Sequence, residues 1–171
     1  VKIAVERRRI AQYNNGIQWR IIDMKKCLII YYSYHHGNTE KIAKAMAEAS
    51  DAKVCTIDEL NAVNIQEYEI IGFGSGIAYR RHYDKLLEAV RGLDLKEKEA
   101  FVFSTSGVGK DSFNSALIKQ LNNAGASVVG SFACKGYDTY GPFKFIGGVA
   151  KGHPDDSDIA NAKEFIQRIV R

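Results

Sequence analysis

The sequence predicts a three-layer α/β sandwich, one parallel sheet with helices on both faces. Three observations predict it. Apolar runs of strand length, led by Cys27 to Tyr32 (CLIIYY), have the continuous pattern of strands buried on both faces. Stretches with apolar residues three and four positions apart have the period of helices with one covered face. The two kinds of segment alternate, and strands joined through helices lie parallel.

The first strand is residues 27–32. A helix follows over TEKIAKAMAEA, with Ile42, Ala45, Met46 and Ala49 on one face. Residues 52–57 (AKVCTI) form a short second strand and residues 68–74 (YEIIGFG) a third. The helix over residues 83–92 carries Leu86, Leu87 and Val90, and Gly92 is placed to stop it. Residues 99–104 (EAFVFS) are the fourth strand. Next comes a helix over SFNSALIKQLNNAG, where Phe113, Leu117 and Leu121 recur every four residues and Gly125 stands past the end. Residues 127–134 are the fifth strand. Residues 135–154 are too rich in glycine and aromatics for a regular element, and a last helix starts near Asp156 with Ile159, Ala162, Ile166 and Ile169 inward.

A chain of 171 residues, 46% hydrophobic and 26% charged, has the size and composition of one globular domain. Its apolar runs are too short to span a bilayer, and its first 26 residues lack the apolar core of a signal peptide. Cys27, Cys55 and Cys134 are odd in number and far apart, with no CxxC spacing for a metal. They read as buried hydrophobes of a cytoplasmic protein. The net charge of +4 is uneven: residues 1–23 hold five basic residues against two acids, whereas Met24 onward holds 19 against 18. A neutral main domain argues against nucleic-acid binding.

Ligands of open parallel sheets bind outside the carboxyl ends of the strands, so the loops there decide the function. The fourth loop element, Ser104 to Ser112 (STSGVGKDS), ends like a P-loop. The pattern G-x-x-x-x-G-K-[ST] requires glycine at position 104 and a hydroxyl at 111, where this chain has Ser104 and Asp111. A carboxylate beside phosphate excludes that reading, and Lys110 reads as a solvated helix-start lysine. Gly72-Phe73-Gly74-Ser75-Gly76 lacks the G-x-G-x-x-G spacing of a dinucleotide site, and no acid pair follows the first strand as a phospho-acceptor domain requires. The first loop, SYHHGNTEK, is different. Ser33, Asn38 and Thr39 offer donors, Gly37 allows close backbone approach, and the helix start presents free N–H groups to an anion. The plain alternative is that Asn38 or Thr39 only caps the helix.

These loops together resemble those of flavodoxins, over Lys25 to the C-terminus. Gly37-Asn38-Thr39-Glu40 resembles the loop that holds the phosphate of flavin mononucleotide (FMN), FGSGIAY the loop beside the flavin ring, and STSG the loop around its pyrimidine end. The resemblance implies a five-stranded doubly wound sheet of order 2-1-3-4-5 with helices on both faces. It implies FMN as cofactor, held by Ser33, His35, His36, Gly37, Asn38 and Thr39, by Ser75, Gly76, Ile77, Ala78 and Tyr79, and by Ser104, Thr105, Ser106 and Gly107. Tyr79 is the aromatic best placed for the ring, and Tyr137, Tyr140 and Phe143 are candidates for a lid. The chain departs from the family in His35 and His36, which stand where hydroxyls are usual, and in its lack of strong acidity. The Arg80-Arg81-His82 cluster suits an anionic substrate.

The implied function is electron transfer between redox partner proteins, with no acid, base or nucleophile constellation of its own. An FMN-dependent NAD(P)H or quinone oxidoreductase is the alternative, and a flavodoxin-like module without flavin the third. Residues 1–23 have no counterpart in the resemblance. Trp19-Arg20 is encodable as a purine-rich ribosome-binding sequence shortly before Met24, which marks Met24 as the expected natural start. The other reading is a genuine basic arm, forming an extra strand or a docking element.

Overall fold

The computed structural model describes residues 9–14 and 18–171. β1 (Arg9–Asn14) and β2 (Gln18–Asp23) pair antiparallel as a separate two-stranded sheet, Arg9 opposite Asp23. The expected extension is thus in part a strand pair, and its residues 1–8 and 15–17 lie outside the described residues.

The main sheet is built from β3 (Cys27–Tyr32), β4 (Lys53–Thr56), β5 (Ile70–Ala78), β7 (Glu99–Ser106) and β8 (Ser127–Lys135). They are parallel and ordered β4-β3-β5-β7-β8, which among these five strands is the 2-1-3-4-5 order that the sequence implied. A short β6 (Arg81–His82) folds back antiparallel on the end of β5.

Helices α1 (Asn38–Ser50), α2 (Asp84–Arg91) and α3 (Ser115–Asn123) lie between strands, and α4 (Asp156–Ile169) follows β8. Alternation along β3 sends Leu28 and Ile30 into one core with Leu86, Leu87 and Val90 of α2 and Leu117 and Leu121 of α3. It sends Cys27, Ile29 and Tyr31 into a second core with Ile42 and Met46 of α1 and Ala162, Phe165 and Ile166 of α4. The sheet is therefore covered on both faces. Among the described residues, no helix is long and apolar enough to cross a membrane.

Gly72 and Gly74 have a packing role. A Cβ on Gly72 would stand 2.1 Å from the Phe101 ring, and one on Gly74 2.2 Å from the Phe103 ring. These glycines let two aromatic rings lie flat against the neighbouring strand, which accounts for the fingerprint-like spacing. All three cysteines are buried and free. Burial pushes the Cys27 and Cys134 thiols up to about 12 and the Cys55 thiol up to about 11, so all three stay protonated.

The structure changes two elements of the sequence reading. The third strand runs on to Ala78 and turns into β6, where the sequence ended it at residue 74. The glycine-rich segment holds a 3-10 helix at Gly141–Ile146 and a single bridge between Asp138 and Val149, so it is more ordered than expected.

Candidate functional site

Register brings the loops together. Tyr32 lies opposite Ser75, Ser75 opposite Ser104, and Ser104 opposite Ala133, so four strands end at one level. The order of connection reverses beside β3, which is flanked by β4 and β5, and the crevice of such a sheet lies at that point.

The first loop opens directly onto α1. Gly37 is the N-cap, left-handed at φ 66°, and no side chain caps the helix. The first helical bond runs from the Lys41 N–H to the Gly37 carbonyl, so the N–H groups of residues 38–40 have no acceptor within the helix. Asn38 and Thr39 are therefore not spent as caps. Asn38 donates from Nδ2 to the Tyr137 carbonyl at 2.8 Å, and the buried Thr39 hydroxyl meets that of Thr105 at 2.9 Å. In the same loop Ser33 Oγ and His35 Nε2 are buried with no hydrogen-bond partner among the described residues. A buried polar atom without a partner carries its full desolvation cost. Two of them on one loop, beside three open N–H groups, form a donor set that fits a phosphate.

The second loop is a tight hairpin. Ile77 pairs with His82 and Ala78 with Arg81, leaving Tyr79 and Arg80 as a two-residue turn. Both are left-handed, at φ 51° and 66°, the φ signature of a type I′ turn that usually takes asparagine or glycine. Tyr79 is 82% exposed. Its ring stands edge-on to Tyr140 at 5.9 Å, with the two hydroxyls 3.0 Å apart.

Beneath this turn lies a buried polar chain. His82 Nδ1 is 2.8 Å from Ser75 Oγ, and His82 Nε2 is 3.0 Å from Asn114 Oδ1. The Asn114 amide donates to Ser131 Oγ and the Phe132 carbonyl, which turns its oxygen toward His82. Nε2 therefore carries the proton, and Nδ1 lies against Ser75 Oγ, whose single proton is shared between Nδ1 and the Gly76 carbonyl at 2.7 Å. Burial holds His82 down to about 4, so it stays neutral.

A strap over residues 136–150 closes the site. Besides the Asn38 and Tyr79 contacts, His36 Nε2 meets Thr139 Oγ1 at 2.9 Å. A Cβ on Gly136 would stand 3.0 Å from the Asn38 side chain. The Lys41 ammonium donates to the Pro154 carbonyl and holds the end of the segment on α1. The cleft left between loops and strap has a cavity volume of about 30 Å³.

Seven of the site residues expected from the sequence line this cleft: His35, Asn38, Thr39, Gly76, Ile77, Thr105 and Ser106. Ser33, half-buried, turns its Oγ inward in the same loop, and His36 engages the strap. Ala78 and Tyr79 stand on the hairpin. Ser75 and Ser104 are buried, with Ser75 committed to His82. Gly107 packs under the strap, where a Cβ would meet Val149 at 2.6 Å. The expected basic cluster is reduced: His82 is buried and neutral, and Arg81 pairs with Asp84 at 2.9 Å. Lys110 is exposed, as the sequence reading had it. Sequence reasoning did not select Tyr34, Tyr83 and Asp138, which also line the cleft.

The fold and its edge define a doubly wound α/β protein with a small polar cleft at its switch point. A family model for the flavodoxin domain matches residues 28–144. An uncharacterized protein of Methanocaldococcus jannaschii is 43% identical over 148 residues, which is 85% of this chain and 99% of that protein. The chain belongs to the flavodoxin domain family. Among solved structures it is similar to a flavodoxin from the domain Archaea, at 18% identity and a TM-score of 0.60, over 85% of this chain and 96% of that one. It is likewise similar to the Trp repressor binding protein from Bacillus subtilis, at 16% identity and a TM-score of 0.64, over 84% and 99%. At these identities the likeness concerns the fold.

Proposed function

We propose that the chain holds FMN at this edge and carries electrons between redox partner proteins in the cytoplasm. The observation that carries the reading is the pair of buried, partnerless donors, Ser33 Oγ and His35 Nε2, beside the open start of α1. They fit the phosphate end, with Asn38 and Thr39 completing the cradle. The flavin, when bound, supplies the one- and two-electron chemistry. This chain's residues bind and orient. The hairpin from Gly76 to Tyr79 borders the ring, the Thr39–Thr105 contact ties the first loop to the third, and the buried His82 chain holds the hairpin in place. A cavity of about 30 Å³ is an order of magnitude below the usual volume of a ligand pocket. Entry of a flavin therefore requires the strap to lift, with the Tyr79–Tyr140 contact parting first.

A second reading, an FMN-dependent oxidoreductase acting on NAD(P)H or a quinone, is favoured by the exposed Arg80 at the hairpin tip.

The test compares FMN with riboflavin by fluorescence titration. Hydrogen bonds to a charged phosphate contribute about 1.5–3 kcal/mol each. FMN is expected to bind at least about a hundredfold more tightly, at about 1.4 kcal/mol per decade. Equal affinity for the two would remove the phosphate from the site. Bleaching of the bound flavin by NADH or NADPH would move the reading to the oxidoreductase.

A further inference from the structure

The edge that carries the cleft is charged unlike the rest of the domain. Residues 33–38, 76–83, 104–110 and 135–154, the four segments on that edge, hold six basic residues against one acid, Asp138. The remaining residues from Met24 onward hold 13 basic against 17 acidic. A domain close to neutral overall is thus polarised, with net +5 at the cleft edge and −4 elsewhere. Acids also stand in the first turns of the helices beside it, among them Glu40, Asp84, Asp111 and Asp156. Asp84 pairs with Arg81, Asp111 accepts from Ser131, and Asp155 accepts from the Asp158 N–H. Arg80 and Lys110 are exposed and have no carboxylate partner among the described residues.

Apolar side chains stand within this positive field. Val108 is 62% exposed and Ile146 72%, each on a loop of the same edge, with Tyr34 and Tyr79 beside the cleft. Tyr79 and Arg80 take the left-handed turn that glycine or asparagine would adopt without strain; both are exposed, with Tyr79 against Tyr140 and the Arg80 guanidinium 5.9 Å from the Phe113 ring centre. Backbone strain kept at an exposed tip marks a functional constraint on those side chains. Tyrosine and arginine are also the residue types that anchor protein interfaces. The apolar residues are spread over four loops around a small cavity. That layout suits the broad, apolar-centred contact of a protein better than the concave pocket of a small ligand.

We infer that this edge docks a small acidic protein, one whose carboxylates surround an apolar centre, through Tyr79, Arg80, Val108 and Lys110. The inference rests on the reading of this edge as a redox site, which supplies the reason for a partner to approach it. The positive edge steers an acidic partner's apolar centre onto the mouth of the cleft.

The test uses the protein without added flavin, so that it does not depend on cofactor loading. An acidic ferredoxin and an acidic rubredoxin are titrated into it by calorimetry, with basic cytochrome c as the opposite probe. At least one acidic protein is expected to bind at about 20 mM salt and to lose at least tenfold in affinity at about 300 mM, where the Debye length shortens severalfold. The double reversal Arg80→Glu with Lys110→Glu should abolish that binding and admit cytochrome c. Tyr79→Ala should weaken binding by about tenfold and leave the salt dependence unchanged, as removal of an uncharged anchor does. Far-ultraviolet spectra of the variants check that they are folded. Failure of both acidic proteins to bind overturns the inference, as does preference of the parent for cytochrome c or indifference to the charge reversal. Failure of the flavin reading would show separately, as absence of FMN binding in its own titration.

Discussion

At the scale of single residues, His82 and His35 show how environment divides one side chain into two roles. His82 is enclosed, its tautomer fixed by Asn114 and Ser75. Its folded value near 4 lies below the ordinary 6.5, so the unfolded chain takes up a proton first as pH falls. The stability that the neutral ring contributes is complete above about pH 6.5 and is lost as pH drops toward about 4, for a total of about 3 kcal/mol. Thermal melts between pH 7.5 and 4.5 should show this loss in the parent and a smaller one in His82→Gln. An equal acid dependence in both would mean that His82 is not the group responsible.

His35, by contrast, buries a nitrogen that no atom of the described residues satisfies. His35→Leu and Ser33→Ala should each lower FMN affinity by about tenfold or more and leave riboflavin affinity unchanged. His35→Gln, which keeps an N–H, should recover part of the loss. A parallel loss for both flavins would assign these residues to the ring or to the fold.

At the scale of elements, the helices and the five parallel strands were legible because their apolar periods are long and unbroken. The β5–β6 hairpin was not. Its turn residues are Tyr79 and Arg80, and neither carries the glycine or asparagine signal that marks such a turn in a sequence. The role of the glycines of β5 was not legible either. Gly72 and Gly74 look like part of a nucleotide loop, a reading their spacing excludes, and their role is to admit the rings of Phe101 and Phe103. Gly74→Ala should therefore destabilise the protein by about 1–3 kcal/mol through overpacking. Gly74→Ala combined with Phe103→Leu should recover much of that, measured by urea unfolding. Additive losses would locate the cost in the backbone of β5 instead.

At the scale of the whole molecule, the sequence placed the three strand-end loops on one edge, since parallel strands share a carboxyl end. It did not show which side of each loop faces the cleft. Ser104 and Thr105 are adjacent, equally polar and both buried, yet of the two only Thr105 lines the cleft. Pleat and register decide that, and neither is written in local residue type. The aromatics of the strap suggested a lid, but its anchors were not legible, because its hold comes from Asn38, His36 and Tyr79, all far away in sequence.

The same scale separates the domain from what precedes it. β1 and β2 pair with each other and with no strand of the main sheet. The domain closes on itself at its start, where the Lys25 N–H donates to the Val170 carbonyl at the end of α4. The first strand of the main sheet begins at Cys27, and each cleft residue lies after it. A chain of residues 24–171 should therefore fold with an unchanged circular dichroism spectrum and a melting temperature within about 4 °C of the full chain, a stability change under about 1 kcal/mol for a domain of this size. Its FMN affinity should equal that of the full chain within about threefold, which is under 1 kcal/mol. A soluble shorter chain with a tenfold loss of FMN affinity would place part of the site in residues 1–23. An insoluble one, beside a soluble full chain, would make those residues part of the fold.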